Sequence, residues 1–242
     1  MSTGMFFPTT RWTVLADASL NGDGEGSRAL DDFVRRYRRP ILDFIREQGW
    51  PASEIEDLGQ EFFVHVMCDG TLRRADASRG RFRAFIRGAL ARFLAKARTR
   101  ANALKRGSGA PVLSLDAENL PEDAVAVAPE DAARFDRAWA VRLLELSVAQ
   151  VEQEFALAQR AADFERLRRY LPGGSEPPSY AAGAAGLGLS LAAFKTEVHR
   201  LRRRLRAILR QEVALTIDSP HEVDLEMQYL QSALAGEDRI EP

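Results

Sequence analysis

Residues 179–209 read SYAAGAAGLGLSLAAFKTEVHRLRRRLRAIL. The spacing predicts a short helix of small residues, a turn at Gly188-Leu189-Ser190, and a longer helix with Ser190 as its N-cap. In the longer helix Leu191, Phe194, Val198, Leu201, Leu205 and Ile208 fall on one apolar face. Lys195, Thr196, His199, Arg202, Arg203 and Arg206 fall on the other, with Arg200 at the boundary. From Lys195 to Glu212 there are seven cations and two acids, a net charge of +5. A recognition helix needs this division, one side packed on its domain and the other carrying cations and donors into a major groove. A basic amphipathic helix on any protein surface, or one that binds a partner, carries the same pattern, so the stretch alone leaves those readings open. Gly183 and Gly186 each weaken the first helix by about 1 kcal/mol relative to Ala, unless close helix packing requires them.

Outward from this stretch the chain keeps helical spacing and shows no sustained alternation of period two, which predicts an all-α fold. Leu30, Phe33, Val34, Tyr37, Ile41, Phe44 and Ile45 form one stripe. A second helix is expected near Ser53, which makes a capping-box pattern with Glu56, and its stripe is Ile55, Leu58, Phe62 and Val66. A third carries Phe82, Phe85, Ile86, Ala89, Leu90, Phe93 and Leu94. These three can bury a shared aromatic core. Between 107 and 131 the composition turns to Gly, Pro, Ala and acids, and residues 116–131 hold six acids and no Lys or Arg, which reads as an extended, self-repelling linker. Helix is expected to resume near Arg134, with Phe135, Trp139, Leu143, Leu146, Val151, Phe155, Ala158 and Ala162 on one face, and to end at Pro172-Gly173-Gly174. A last helix is expected from Ser219, with Pro220 in its first turn.

Composition bounds the function classes. The chain has 242 residues, 34 Lys+Arg against 35 Asp+Glu and a net charge of -1, an average that does not suggest a nucleic-acid binder. The average is a sum of blocks. Residues 79–107 hold ten cations and no acid, and residues 218–242 hold seven acids and one Arg. The basic block reads as a phosphate-attracting helix, and its Phe82, Phe85 and Phe93 sit at core spacing, where stacking on unpaired bases is the less common role. Glu54, Glu56, Asp57, Gln60 and Glu61 crowd one helix, either as a solvated face or as a docking surface for a basic partner. One cysteine, Cys68, excludes an internal disulfide framework and suits a reducing compartment; with three histidines it cannot supply a rich metal cluster. Residues 21–26 match a calcium loop only loosely, lacking its first Asp and last Glu, and read as a flexible turn. No nucleophile–base arrangement is visible, so no catalytic residue, metal or cofactor is expected. The uncharged stretch from Pro177 to Phe194 is rich in Pro, Gly and Ala and reads as part of a soluble domain, and the opening residues lack the pattern of a signal peptide. A cytoplasmic protein with no membrane contact is expected.

The order of these features — acidic helix, basic aromatic helix, acidic linker, helix-turn-helix — resembles the extracytoplasmic-function sigma factors of bacterial RNA polymerase, within the sigma-70 family. Leu30 to Trp50 resembles the first helix of sigma region two. Glu56-Asp57-Leu58-Gly59-Gln60-Glu61-Phe62-Phe63 resembles the family's acidic Glu-Asp-Leu-x-Gln-Glu motif, which docks on the polymerase clamp. Phe82 through Arg100 resembles the segment that captures the melted minus-ten element, and Ser179 through Leu205 resembles region four, which reads the minus-thirty-five element and touches the polymerase flap. Thr9-Thr10-Arg11-Trp12 and the long C-terminal tail are similar to a larger subgroup of that family.

The resemblance implies a region-two-like domain over residues 1–110, an acidic linker over 111–131, a region-four-like helix-turn-helix domain over 132–217 and an acidic extension over 218–242. It implies that Glu54, Glu56, Asp57, Gln60 and Glu61 bind polymerase. Phe85, Arg87, Arg92, Lys96, Arg98 and Arg100 would meet the minus-ten strand, with Phe85 either stacking or core. Lys195, Thr196, His199, Arg200 and Arg203 would meet minus-thirty-five duplex. Core polymerase and promoter DNA are the implied partners, with an anti-sigma factor or other regulator as a further one, and the protein would not be an enzyme. The alternative is a two-domain helix-turn-helix regulator that acts without polymerase; an all-α adaptor for acidic proteins is a third reading.

Overall fold

The computed structural model describes residues 24–68, 71–74, 81–105, 127–172, 177–217 and 222–235. Those residues form eight α-helices, two short 3-10 turns and no strand. The helices are α1 (Gly24–Glu47), α2 (Ala52–Cys68), α3 (Phe82–Lys105), α4 (Pro129–Leu157), α5 (Ala161–Leu167), α6 (Tyr180–Gly186), α7 (Leu191–Ala214) and α8 (Val223–Ala235). The all-α expectation is met. No described helix is long and apolar enough to cross a membrane. The chain divides into two compact units. One comprises the described residues up to Ala140 together with those from Leu215 onward, and the other is Val141–Ala214. Thr9–Trp12, the linker over 111–126, and Ser219 and Pro220 lie outside the described residues.

In the first unit the three sequence stripes meet. Phe33, Tyr37, Ile41, Phe44 and Ile45 of α1, Ile55, Leu58, Phe62 and Val66 of α2, and Phe82, Ile86, Leu90, Phe93 and Leu94 of α3 are buried. Phe33 packs edge-on to Phe63 at 5.5 Å and to Phe82 at 5.9 Å, and Phe62 meets Phe93 at 5.5 Å, arrangements that aromatic quadrupoles favour. Gly59, the variable position of the acidic motif, is buried against α1; a Cβ there would come 2.6 Å from Leu42 Cδ2, so any larger residue would require the Leu42 side chain to shift. Leu72, in the 3-10 turn Thr71–Arg74, is also buried. The helix α8 inserts Val223, Met227 and Leu230. At 13 residues it is marginal on its own, and these three side chains, at about 1.5–3 kcal/mol each, hold it in place.

The second unit is built on Val151, Phe164, Leu167, Tyr170, Leu171, Ala184, Phe194, Val198, Leu201, Leu205 and Ile208. Tyr170, Tyr180 and Phe194 form an edge-to-face triangle with centroids 5.1–5.9 Å apart.

Several boundaries differ from the sequence expectation. The first helix starts at Gly24, so the glycines of residues 24–26 belong to its opening turn rather than to a flexible loop. Ser53 does not cap α2, because the carbonyl of Pro51 already accepts from Glu54 N–H at 2.9 Å and the helix begins at Ala52. The helix α4 starts at Pro129, five residues earlier than expected. Proline suits a first helical position, and Glu130 and Asp131 in the first turn face the positive end of the helix dipole. The continuous helix expected to run on to Tyr170 breaks at Ala158–Arg160. Gln159 adopts φ +59, Arg160 N–H donates to Phe155 O at 2.8 Å, and Gln159 N–H donates to Ala156 O at 3.0 Å, a Schellman closure.

Candidate nucleic-acid interface

The expected turn is present and well specified. Ser179 caps α6 by accepting from Ala182 N–H, and Ser190 caps α7 by accepting from Ala193 N–H, both at 3.2 Å. Between them Gly188 takes φ +66; Leu189 N–H donates to Ala184 O at 3.0 Å and Gly188 N–H to Ala185 O at 3.2 Å. Gly183 has a packing role, since a Cβ there would strike the Tyr170 hydroxyl and the Phe194 ring, whereas Gly186 faces open space. Of the expected apolar face of α7, Phe194, Val198, Leu201, Leu205 and Ile208 are buried, but Leu191 at the first position is 45% exposed, ahead of the packed surface.

Lys195, Thr196, His199, Arg200 and Arg203 are all exposed on α7. Lys195, His199, Arg203 and also Arg206 lie along one stripe and have no partner among the described residues. The Thr196 hydroxyl donates to Ala192 O at 3.1 Å. Arg200 sits to the side and pairs with Glu197 at 3.0 Å while its side chain stays 70% exposed. Arg160 also reaches Glu197, at 3.1 Å, and Asp163 at 2.8 Å. Arg202, placed on the basic face from sequence, is used internally: Nε and Nη2 donate to Tyr170 O at 3.0 and 2.8 Å and close the end of the 3-10 turn Arg168–Tyr170. Arg204 makes a bidentate pair with Glu154 at 2.8 and 2.6 Å, and this pairing holds the Glu154 carboxyl below its ordinary range. Arg169, exposed in the same 3-10 turn and without a partner among the described residues, is a cation that sequence patterning had not singled out.

The basic helix α3 divides differently. At about 100° per residue, Phe85, Gly88, Arg92 and Lys96 share one face, with Arg100 beside it, and Arg83, Arg87 and Arg98 point elsewhere. Arg92 and Lys96 are half-buried with no partner among the described residues. Phe85 is half-buried and stacks on Phe82 at 6.2 Å and 19°. Gly88 lies under Arg92, whose Nη1 would be 3.4 Å from a Cβ. Arg100 is exposed and 3.6 Å from Glu61 of α2, a pair worth about 0–1 kcal/mol because both side chains are more than half exposed.

The other arginines are taken up inside the unit. Arg83, 4% exposed, donates through Nε to Asp136 at 3.1 Å and through Nη1 to Glu226 of α8, and lies over the Tyr229 ring at 4.2 Å and the Trp139 ring at 5.3 Å. Burial works against its charge, but Asp136 and Glu226 outweigh that and hold the guanidinium above its ordinary pKa. Arg87 pairs with Asp136 at 2.7 Å, and Arg81 with Glu226 at 3.1 Å. Tyr229 donates to Asp136 at 2.5 Å, and burial, together with this bond, pushes its phenol up to about 12. Arg98 donates to Gln48 O and lies over the Trp50 ring at 5.5 Å.

The acidic residues also separate by face. Glu54, Glu56, Asp57, Gln60 and Glu61 are exposed on α2 beside Val64, which is 56% exposed. Glu56 pairs with Arg38 of α1 at 2.6 Å, with both side chains 54% exposed. Glu54, Asp57 and Gln60 have no partner among the described residues. Compared with known proteins, the chain matches no family model, no curated protein and no solved structure.

Proposed function

We propose that this chain is a sigma factor of the extracytoplasmic-function type, a cytoplasmic, non-enzymatic subunit that lends promoter specificity to bacterial core RNA polymerase. The observation that supports this most is the α7 stripe of Lys195, His199, Arg203 and Arg206, turned outward on a helix whose turn, two serine caps and buried face are those of a helix-turn-helix. That stripe, with Thr196 and Arg200 at its flank, would lie in minus-thirty-five duplex.

The outward face of α3 supports the second half of the reading. Phe85, Arg92, Lys96 and Arg100 combine an aromatic edge with cations at one-turn spacing, the mixture that holds unpaired bases and their phosphates. Arg87 and Arg98 would shape that helix from behind. The face of α2 with Glu54, Glu56, Asp57, Gln60 and Glu61 around Val64 would dock on the polymerase clamp, and the acidic linker would join the two DNA-reading parts.

In vitro transcription with core polymerase over a genomic library tests the proposal. Promoter-specific transcripts are expected, and they should vanish when Glu56 and Asp57 are both replaced by Lys with the helical signal intact. Absence of any promoter-specific transcript overturns the reading. High-affinity duplex binding by the free protein in its place would favour a regulator that acts without polymerase.

A further inference from the structure

We infer that α8 is an internal competitor for nucleic acid: its Glu226 carboxylate and Tyr229 ring occupy, on Arg81 and Arg83, the places that a phosphate and a base of a single strand take when the helix is displaced. The inference rests on the nucleic-acid role proposed for α3.

Glu226 and Tyr229 lie one turn apart and face the same two arginines. Glu226 Oε1 accepts from Arg83 Nη1, and its Oε2 is 3.1 Å from Arg81 Nε. The Tyr229 ring lies 4.2 Å from the Arg83 guanidinium and 5.2 Å from that of Arg81. An anion next to a flat ring is what one nucleotide presents to a pair of arginines. Holding a helix down does not require this chemistry, because a buried ion pair is often matched or exceeded in stability by apolar residues of similar volume. A carboxylate differs from an apolar anchor in being exchangeable for a phosphate. Glu226 is 2% exposed, whereas the Arg81 side chain is 30% exposed, so an incoming strand can engage Arg81 before α8 has moved. Asp136 belongs to α4 and stays behind with Arg83 and Arg87, so departure of α8 takes the Glu226 carboxylate away from both Arg81 and Arg83. The segment that carries α8 is itself acidic, with seven acids and one Arg over residues 218–242, and strand phosphates repel it once it is free.

Two measurements on the full-length chain test this. The first is the salt dependence of binding to a fluorescent oligodeoxythymidylate. Glu226→Gln should bind more tightly, with a log–log salt slope steeper by about 1.4 for two added phosphates at about 0.7 each. Adding Arg81→Gln should return about half of that. Leu225→Ser, on the exposed side of α8, should match the wild type. The second is hydrogen exchange of wild-type residues 223–235, which needs no variant to fold; saturating oligonucleotide should speed it. Unchanged or slower exchange with bound oligonucleotide overturns the inference, as does a wild-type slope in a folded Glu226→Gln protein. If wild type directs transcription with polymerase but neither measurement moves, the competitor fails alone. If both move and no promoter-specific transcript is made, the competitor stands and the sigma reading fails.

Discussion

The two basic helices, α3 and α7, are each 24 residues long, and each was expected from sequence to turn its cations toward DNA. In α7 the stripe of Lys195, His199, Arg203 and Arg206 stays exposed, whereas Arg200, Arg202 and Arg204 are engaged with Glu197, Tyr170 O and Glu154. In α3 the balance reverses: Arg83, Arg87, Arg98 and Arg100 all have partners in the same unit, and Arg92 and Lys96 are what remains on the Phe85 face. Charge counted along a sequence is therefore not charge available to a ligand. The same residue type is a structural strut at one position of a helix and an unpaired cation at another, and a neighbouring carboxylate or carbonyl decides which.

The largest expected effect separates strut from donor directly. Arg83→Ala leaves Asp136 and Glu226 buried without their shared cation and should cost about 3–5 kcal/mol of unfolding free energy. Arg203→Ala, on the exposed stripe, should stay within about 0.5 kcal/mol of wild type. Urea denaturation of the two variants side by side measures the contrast, and equal costs would break it. Next in size is Gly183→Ala, which forces a methyl group into the Tyr170–Phe194 contact and should cost about 1–3 kcal/mol. Gly186→Ala serves as its control, because a Cβ there meets nothing and should stabilise α6.

Binding gives a finer division. Arg203→Ala should lower duplex affinity and flatten its salt slope by about 1. On a single strand, Arg92→Ala should flatten the slope by about 0.7, whereas Arg87→Ala, whose guanidinium faces Asp136, should leave it unchanged. A flatter slope with Arg87→Ala would return that residue to the outward set. The smallest effect lies at high pH. Tyr229 is raised from 10.0 to about 12, so its neutral form is favoured by folding. That contribution is complete below pH 10 and is lost as pH rises toward 12. Tyr229→Phe should flatten the fall in urea midpoint across that window, leaving the part due to Tyr37, whose phenol burial also raises.

Much of the fold was legible because its signals were local. Apolar stripes gave α1, α2, α3 and α7, and Ser190 with Gly188 gave the turn before α7. The break at Gln159 was not legible, since a left-handed helix terminus is ordinarily marked by Gly or Asn and here carries a glutamine. Which cations of the candidate site stay exposed was half legible. Lys195, His199 and Arg203 followed from helical spacing alone. The fate of Arg83 and Arg87 depended on Asp136 and Glu226, the latter 143 positions from Arg83, a pairing that no local window contains.

That separation has a temporal side during synthesis. At about 5–20 residues per second, the ribosome places Glu226 in the chain roughly 7 to 30 s after Arg83. The whole of Val141–Ala214, a continuous stretch, is made in that interval. The unit Val141–Ala214 therefore has all its parts while the first unit still lacks α8. The nascent first unit passes through a period in which Arg83 has Asp136 but not Glu226, and the closing ion pair forms only after α8 has been made.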